Sequence, residues 1–111
     1  MRFEESKTGD VLVAKVLESR IAADVAPRFK QDLMDYVAKG NRSIVLDLSE
    51  VTFIDSSGLG ALIASLKVLG SDGELVLCGT RESVSSMFKL TRMNKVFRMF
   101  DSADKAVEAL S

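Results

Sequence analysis

The sequence predicts an α/β fold, in which a sheet is flanked by helices, formed as a single domain by residues 1–111. After two β-like segments at the start, helix-like and strand-like segments alternate along the rest of the chain. The later strand-like segments are short and almost continuously apolar, as in a sheet that is covered on both faces. A length of 111 residues with 47% hydrophobic residues suits one compact core.

The first two segments predict a β-hairpin. Residues 2–7 and 10–17 lie on either side of Thr8-Gly9-Asp10, a turn signal. Val11, Val13 and Val16 stand among polar and small residues in the second segment.

The first helix is predicted between Asp24 and Gly40. Asp24 is the expected N-cap, Pro27 lies inside the first turn, and Gly40 lies just past the end. Apolar residues recur at spacings of three and four: Ala26, Phe29, Leu33, Tyr36 and Val37. The apolar run 43–48 that follows is expected to be a central strand.

A second helix is predicted directly after a short apolar strand. Residues 51–54 form that strand, and Leu59, Leu62, Ile63 and Leu66 then follow helical spacing as far as Gly70. The helix is expected to begin at Ser57 or Gly58, with Asp55 or Ser56 as its N-cap.

The last third of the chain predicts two further strands and two further helices. After a turn at 71–73, residues 74–78 read as a buried strand, and Thr80 is expected to cap a helix. Residues 96–100 predict an edge strand. The last helix is expected to begin at Asp101 or Ser102 and to bury one stripe: Ala103, Ala106, Val107 and Leu110.

Composition argues against several classes of function. The 15 Lys and Arg nearly balance the 16 Asp and Glu, so we expect neither nucleic-acid binding nor attraction to an anionic membrane. No apolar run approaches the roughly 18 to 20 residues that a membrane span needs, so membrane insertion is not expected. With one cysteine and no signal-peptide pattern, the chain is expected to be cytoplasmic.

Catalysis is not expected, because the chain contains no histidine. That absence removes the commonest general base and metal ligand and every serine–histidine pair. Gly58-Leu59-Gly60 begins like a dinucleotide fingerprint, but its third small position is Ile63. Cys78, which ends an apolar strand, is interpreted as a small buried residue. We therefore predict no enzymatic activity.

The segment Asp55-Ser56-Ser57-Gly58-Leu59-Gly60 allows two interpretations. The simpler one is a capped helix start whose glycines let the backbone approach a neighbouring element. The second is a phosphorylation switch. A phosphate at a helix N-terminus meets oriented N–H groups and the positive end of the dipole, so the fold accepts it while the surface gains charge.

Residues 51–60, Val-Thr-Phe-Ile-Asp-Ser-Ser-Gly-Leu-Gly, resemble the signature of the STAS family, which anti-sigma factor antagonists and sulfate transporters share. The strands at 44–48 and 73–78 stand at the family's usual distances from this motif. The resemblance covers essentially the whole chain. It implies a mixed sheet of four to five strands flanked by about four α-helices.

The resemblance also implies a function. In similar antagonists the serine after the motif aspartate, here Ser56, is phosphorylated by a serine kinase that is also the anti-sigma factor. The unphosphorylated antagonist binds that kinase and frees its client, and a PP2C-type serine phosphatase restores binding. By the same resemblance ATP and Mg²⁺ belong to the kinase, so no cofactor is expected for this chain. The residues expected to contact the partner are Arg20, Ile21, Asp55, Ser57, Gly58, Leu59 and Gly60.

One departure keeps an alternative open. Family members often carry Gly-x-Leu-Asp where this chain reads Ser19-Arg20-Ile21-Ala22, so an aspartate is missing near the predicted phosphorylation site. The alternative is a STAS-type accessory subunit of a membrane transporter, which docks an ATPase subunit without being phosphorylated. The choice of Ser56 over Ser57 rests on the resemblance, because either hydroxyl can lie near the helix N-terminus.

Overall fold

Seven strands and four α-helices make up the computed structural model, which describes residues 1–111. In chain order these are β1 (Phe3–Thr8), β2 (Val11–Val16), β3 (Arg20–Ile21), α1 (Ala26–Ala38), β4 (Ser43–Asp47), β5 (Phe53–Ile54), α2 (Ser56–Leu69), β6 (Glu74–Cys78), α3 (Glu82–Leu90), β7 (Met99–Phe100) and α4 (Ala103–Leu110). Short 3₁₀ turns lie at Gly70–Asp72 and Met93–Lys95.

The main sheet is mixed and has five strands in the order β1-β2-β4-β6-β7. Strands β1 and β2 form the predicted antiparallel hairpin, while β2, β4, β6 and β7 run parallel to one another. The predicted α/β class is confirmed, and the expected four to five strands and about four helices are found as five strands in the main sheet and four α-helices. Strand β4 lies at the centre, as its apolar sequence predicts.

Both faces of the sheet are covered, because its inner strands carry apolar side chains on both sides. In β4, Ile44 and Leu46 point into a core of 22 buried residues that also includes residues of α1, α2 and α3. Val45 points the other way, into a smaller cluster that Ala106 of α4 completes. Continuous apolar runs in the sequence therefore correspond to strands enclosed between two helical layers.

Strands β3 and β5 form a separate two-stranded parallel sheet, which the sequence analysis does not predict. Arg20 pairs with Phe53 and Ile21 with Ile54. The expected strand 51–54 is thus only two residues long and lies outside the main sheet. Its short pairing fixes the loop before α1 directly beside the start of α2.

Two of the predicted helix caps are wrong. The residue before α1 is Val25, with no side-chain cap, so Asp24 does not cap that helix. Arg81 precedes α3, and the Thr80 hydroxyl instead contacts Ser85 at 2.7 Å. Ser102 is confirmed as the cap of α4, since its Oγ accepts a hydrogen bond from the Lys105 N–H at 3.2 Å.

Cys78 lies in the smaller cluster and is fully buried. Burial, followed by the nearby Asp47 charge, raises the pKa of its thiol to about 12, so the nucleophilic thiolate is scarce near neutral pH. This agrees with its interpretation as a small core residue. None of the helices combines the length and the apolar character needed to cross a bilayer.

Candidate functional site

Asp55 connects the start of α2 to the loop that precedes α1. Its Oδ1 accepts hydrogen bonds from the N–H groups of Ser57 (2.9 Å) and Gly58 (3.1 Å). Its Oδ2 accepts one from Ala23 N–H at 3.1 Å, and its own N–H donates to the Ile21 carbonyl at 3.2 Å. Asp55 is therefore the N-cap, as predicted, and the helix begins at Ser56, one residue earlier than expected.

Gly58 lies where α2 comes closest to β3. A Cβ at this position would lie 2.7 Å from the Ile21 carbonyl oxygen and 2.7 Å from Ile54 Cγ1. Backbone cannot move aside as a side chain can, so only glycine fits here without displacing the helix. Gly60 has no such constraint, because a Cβ there would have no neighbour within 4 Å. The expectation of a close backbone approach is thus confirmed for Gly58 and wrong for Gly60.

Ser56 and Ser57 are both exposed in the first turn of α2. Ser57 and Gly60 also line a shallow groove whose opposite wall carries Ala23, Pro27 and Lys30 of the loop and of α1. The two hydroxyls can therefore be reached from outside the molecule. Backbone geometry alone does not choose between them.

Three of the residues expected to contact a partner are buried: Ile21, Gly58 and Leu59. Ile21 is 0% exposed and Leu59 is 5% exposed, so the prediction that their side chains meet a partner needs correction. The physical reason is periodicity. Ile21 lies in register with the buried Ile54, and Leu59 lies on the inward stripe of α2. Arg20, Ser57 and Gly60 are exposed, while Gly58 and Asp55 shape the backbone.

Phe53 is a surface aromatic residue at the site that was not predicted from the sequence. Its side chain is 44% exposed, and the Arg20 guanidinium carbon lies 5.6 Å from the centre of its ring. Strand alternation could have revealed it, because its neighbour Ile54 points into the core. We call Arg20, Phe53, Ser56, Ser57 and Gly60 the docking surface.

A second feature that was not predicted from the sequence is a pair of hydrogen bonds that links the site to α3 and to the loop at Ser19. The Ser83 hydroxyl donates to the Thr52 carbonyl at 2.8 Å, and the Thr52 N–H donates to the Ser19 carbonyl at 2.8 Å. The segment before Asp55 is thus held from two sides. No sequence signal indicates these contacts, because they join residues about thirty positions apart.

The acid next to the two serines is engaged by the backbone. Asp55 accepts hydrogen bonds from three backbone N–H groups and none from a serine hydroxyl. The same bonds correct one expectation. The N–H groups of Ser57 and Gly58 already have Asp55 as their acceptor, so a phosphate on Ser56 would compete with that carboxylate for them.

The family model for the STAS domain matches residues 5–106, a range that includes both serines and every strand and helix except the ends of β1 and α4. The chain belongs to the STAS family. This STAS domain is 32% identical over 91 residues to the anti-sigma-B factor antagonist of Listeria monocytogenes, covering 81% of this chain and 76% of the relative.

Two further comparisons cover nearly all of the STAS domain. BtrV of Bordetella bronchiseptica, a candidate anti-sigma factor antagonist, is 30% identical over 110 residues, covering 98% of this chain and 94% of BtrV. The crystal structure of an anti-sigma factor antagonist from Mycobacterium paratuberculosis superposes with a TM-score of 0.88 at 27% identity. That match covers 97% of this chain and 92% of the other.

Proposed function

We propose that this STAS domain is an anti-sigma factor antagonist controlled by phosphorylation of Ser56. In the unphosphorylated form it binds a serine kinase that is also an anti-sigma factor and thereby frees the kinase's client. The observation that carries the proposal is an exposed Ser56 hydroxyl in the first turn of α2, directly after the capping Asp55. Similarity to anti-sigma factor antagonists over nearly the whole chain supports it.

The chain acts in this scheme as substrate and ligand, in the cytoplasm, and not as an enzyme. No histidine is available to deprotonate Ser56, and Asp55 is engaged with three backbone N–H groups. Phosphoryl transfer then depends on ATP, Mg²⁺ and a base that the kinase supplies. A serine phosphatase of the PP2C type restores the Ser56 hydroxyl by hydrolysing the phosphate ester, which releases inorganic phosphate.

Phosphorylation ends binding through charge at the docking surface. The exposed residues there are small or apolar apart from Arg20, which suits close approach of a partner backbone. A phosphate adds a charge of roughly −1.5 to −2. A partner that packs against Phe53 and Gly60 would have to desolvate that charge, and Arg20, the one cation of the docking surface, lies over the Phe53 ring. Losing about 3 kcal/mol of binding lowers the affinity by more than a hundredfold.

The first experiment is peptide mass spectrometry of the protein purified from its native host during growth and during stress. We expect one phosphate whose occupancy changes with condition, present in Ser57→Ala and absent from Ser56→Ala. The opposite result, with phosphate present in Ser56→Ala and absent from Ser57→Ala, would identify Ser57 as the phosphorylated residue. Absence of phosphate in every condition, with Ser56→Ala behaving as wild type and an ATPase subunit co-purifying, would favour the transporter-associated alternative.

The docking surface is tested separately, by measuring how tightly the unphosphorylated protein binds its cognate kinase once that kinase has been isolated by co-purification. Phe53→Ala should weaken binding of the unphosphorylated protein about tenfold or more, since exposed aromatic residues at interface centres dominate affinity. The matched control is Val68→Ala, which removes another exposed apolar side chain (55% exposed) near the far end of α2. Equal effects of the two substitutions would contradict the assignment of the surface.

A further inference from the structure

Strand β1 is an unpaired edge of the main sheet. It has six residues, contains no proline, and pairs with β2 along its whole length on one side only. Every residue after Phe3 is exposed. The opposite edge, β7, has two residues, so β1 is the longer row of free backbone groups.

The hairpin register identifies which backbone groups are free. The Leu17 N–H donates to the Arg2 carbonyl at 3.0 Å, so Arg2 directs its backbone groups towards β2. Backbone groups alternate in direction along an antiparallel strand. Even-numbered residues of β1 therefore bond to β2, while Phe3, Glu5 and Lys7 direct their N–H and C=O groups outwards.

Self-pairing of this edge is restricted by its charges. In a two-fold symmetric antiparallel pair, residues whose backbone groups point outwards must lie opposite residues of the same kind. The two-fold axis then passes through one residue, which lies opposite the same residue of the other copy. Centres at Glu4, Glu5 or Lys7 set like charges opposite each other, which is unfavourable. A centre at Ser6 sets Glu5 opposite Lys7 twice and Glu4 opposite Thr8.

We propose that two copies of this chain associate through β1, antiparallel and centred on Ser6, to form a continuous ten-stranded sheet. Glu5 of each copy then faces Lys7 of the other, and the outward N–H and C=O groups of both residues become bonded. Within one chain Glu5 accepts a hydrogen bond from the Tyr36 hydroxyl at 3.0 Å, which orients its carboxylate. Lys7 forms none of the four intrachain ion pairs.

The pairing leaves the docking surface free. Residues of β3, β5 and α2 take no part in the β1 edge, so a dimer presents two serine sites that act independently of this contact. The inference does not depend on the proposed function, because it rests on the backbone and charges of β1 alone. The contact is small, so the dimer is expected to be weak and sensitive to salt.

Sedimentation velocity from micromolar to millimolar concentration, at low salt, tests the association. Wild type should shift from monomer to dimer. Lys7→Glu should weaken dimerisation about tenfold or more, because two acidic pairs then face each other. The double substitution Glu5→Lys and Lys7→Glu should restore dimerisation, because opposite charges again face each other. Glu4→Lys is the matched control, since it changes the charge as much but faces Thr8.

Amide hydrogen exchange locates the contact. Protection of the Glu5 and Lys7 amides should rise with protein concentration, while the Glu4 and Ser6 amides are protected by β2 at every concentration. Circular dichroism confirms that each variant is folded. A wild type that stays monomeric, a dimer indifferent to Lys7→Glu, or unchanged exchange at Glu5 and Lys7 would each overturn the proposal.

Discussion

Replacing Gly58 with alanine is expected to push α2 away from β3. The new Cβ would lie 2.7 Å from the Ile21 carbonyl oxygen and 2.9 Å from Ile21 Cγ2, closer than van der Waals contact allows. Ile54 Cγ1, also at 2.7 Å, can rotate, but the carbonyl belongs to a paired strand and cannot. Relief requires the helix start to move, which strains the bonds from Asp55 to Ala23 and Ile21.

The magnitude follows from opposing contributions. Alanine gains about 1 kcal/mol over glycine in a helix. Overpacking a tight contact costs about 1–3 kcal/mol, and weakening one backbone hydrogen bond costs about 1 kcal/mol. The expected net loss in the free energy of unfolding is therefore about 1–3 kcal/mol.

The assay is urea denaturation followed by circular dichroism, with Gly60→Ala as the matched control. Gly60 lies two residues along the same helix with open space around its Cα, so alanine there should stabilise by about 0.5–1 kcal/mol. Opposite signs for the two substitutions would support the close approach of α2 to β3. If Gly58→Ala is as stable as Gly60→Ala, the reasoning from that contact is refuted.

The other predictions concern caps, burial and backbone strain. Asp55→Ala should lower the free energy of unfolding by about 1–2 kcal/mol by removing an N-cap, whereas Asp24→Ala, which removes no cap, should change it by less than about 0.5 kcal/mol in the same urea titration. The pKa of Cys78 is raised to about 12, so the folded chain retains that proton to higher pH than the unfolded chain does. The contribution of the Cys78 thiol to the free energy of unfolding is thus complete below about pH 9 and declines from about pH 9 to 12. Cys78→Ala should therefore reduce the loss of stability over this pH range, as measured by urea unfolding at each pH. Arg92, with a φ of 62°, is the one non-glycine residue in the left-handed region. Because glycine adopts this conformation without strain, Arg92→Gly should raise the free energy of unfolding by up to about 1 kcal/mol and raise the thermal midpoint. A lower midpoint would contradict this prediction.

A phosphate on Ser56 would change the stability of the protein in two opposing ways. A phosphate on Ser56 would lie beside a carboxylate that already accepts the first free amides of α2. Like-charge repulsion and competition for those amides oppose the favourable helix dipole. The stability of a phosphorylated sample relative to the unmodified protein measures which effect is larger at this helix start.

Much of the site was predictable because its signals are local. The cap at Asp55, the helix that follows it and the strand at Glu74–Cys78 depend on residues a few positions apart, so their spacing is visible in the sequence. Predictions that needed a distant partner were less successful. Asp24 and Thr80 are suitable cap residues by type, but tertiary packing starts each helix elsewhere, at Ala26 and Glu82.

The alternation of strands and helices, the α/β class and the serine motif at a helix start could all be predicted from the amino-acid sequence, because periodicity, caps and turn residues act over short distances. The accessibility of the motif residues could not, because it depends on how distant segments pack in the folded chain. Pairing of Ile21 with Ile54 buries both side chains and turns Phe53 and Arg20 outwards. This register joins segments more than thirty residues apart, so it depends on the packed core and not on local preference.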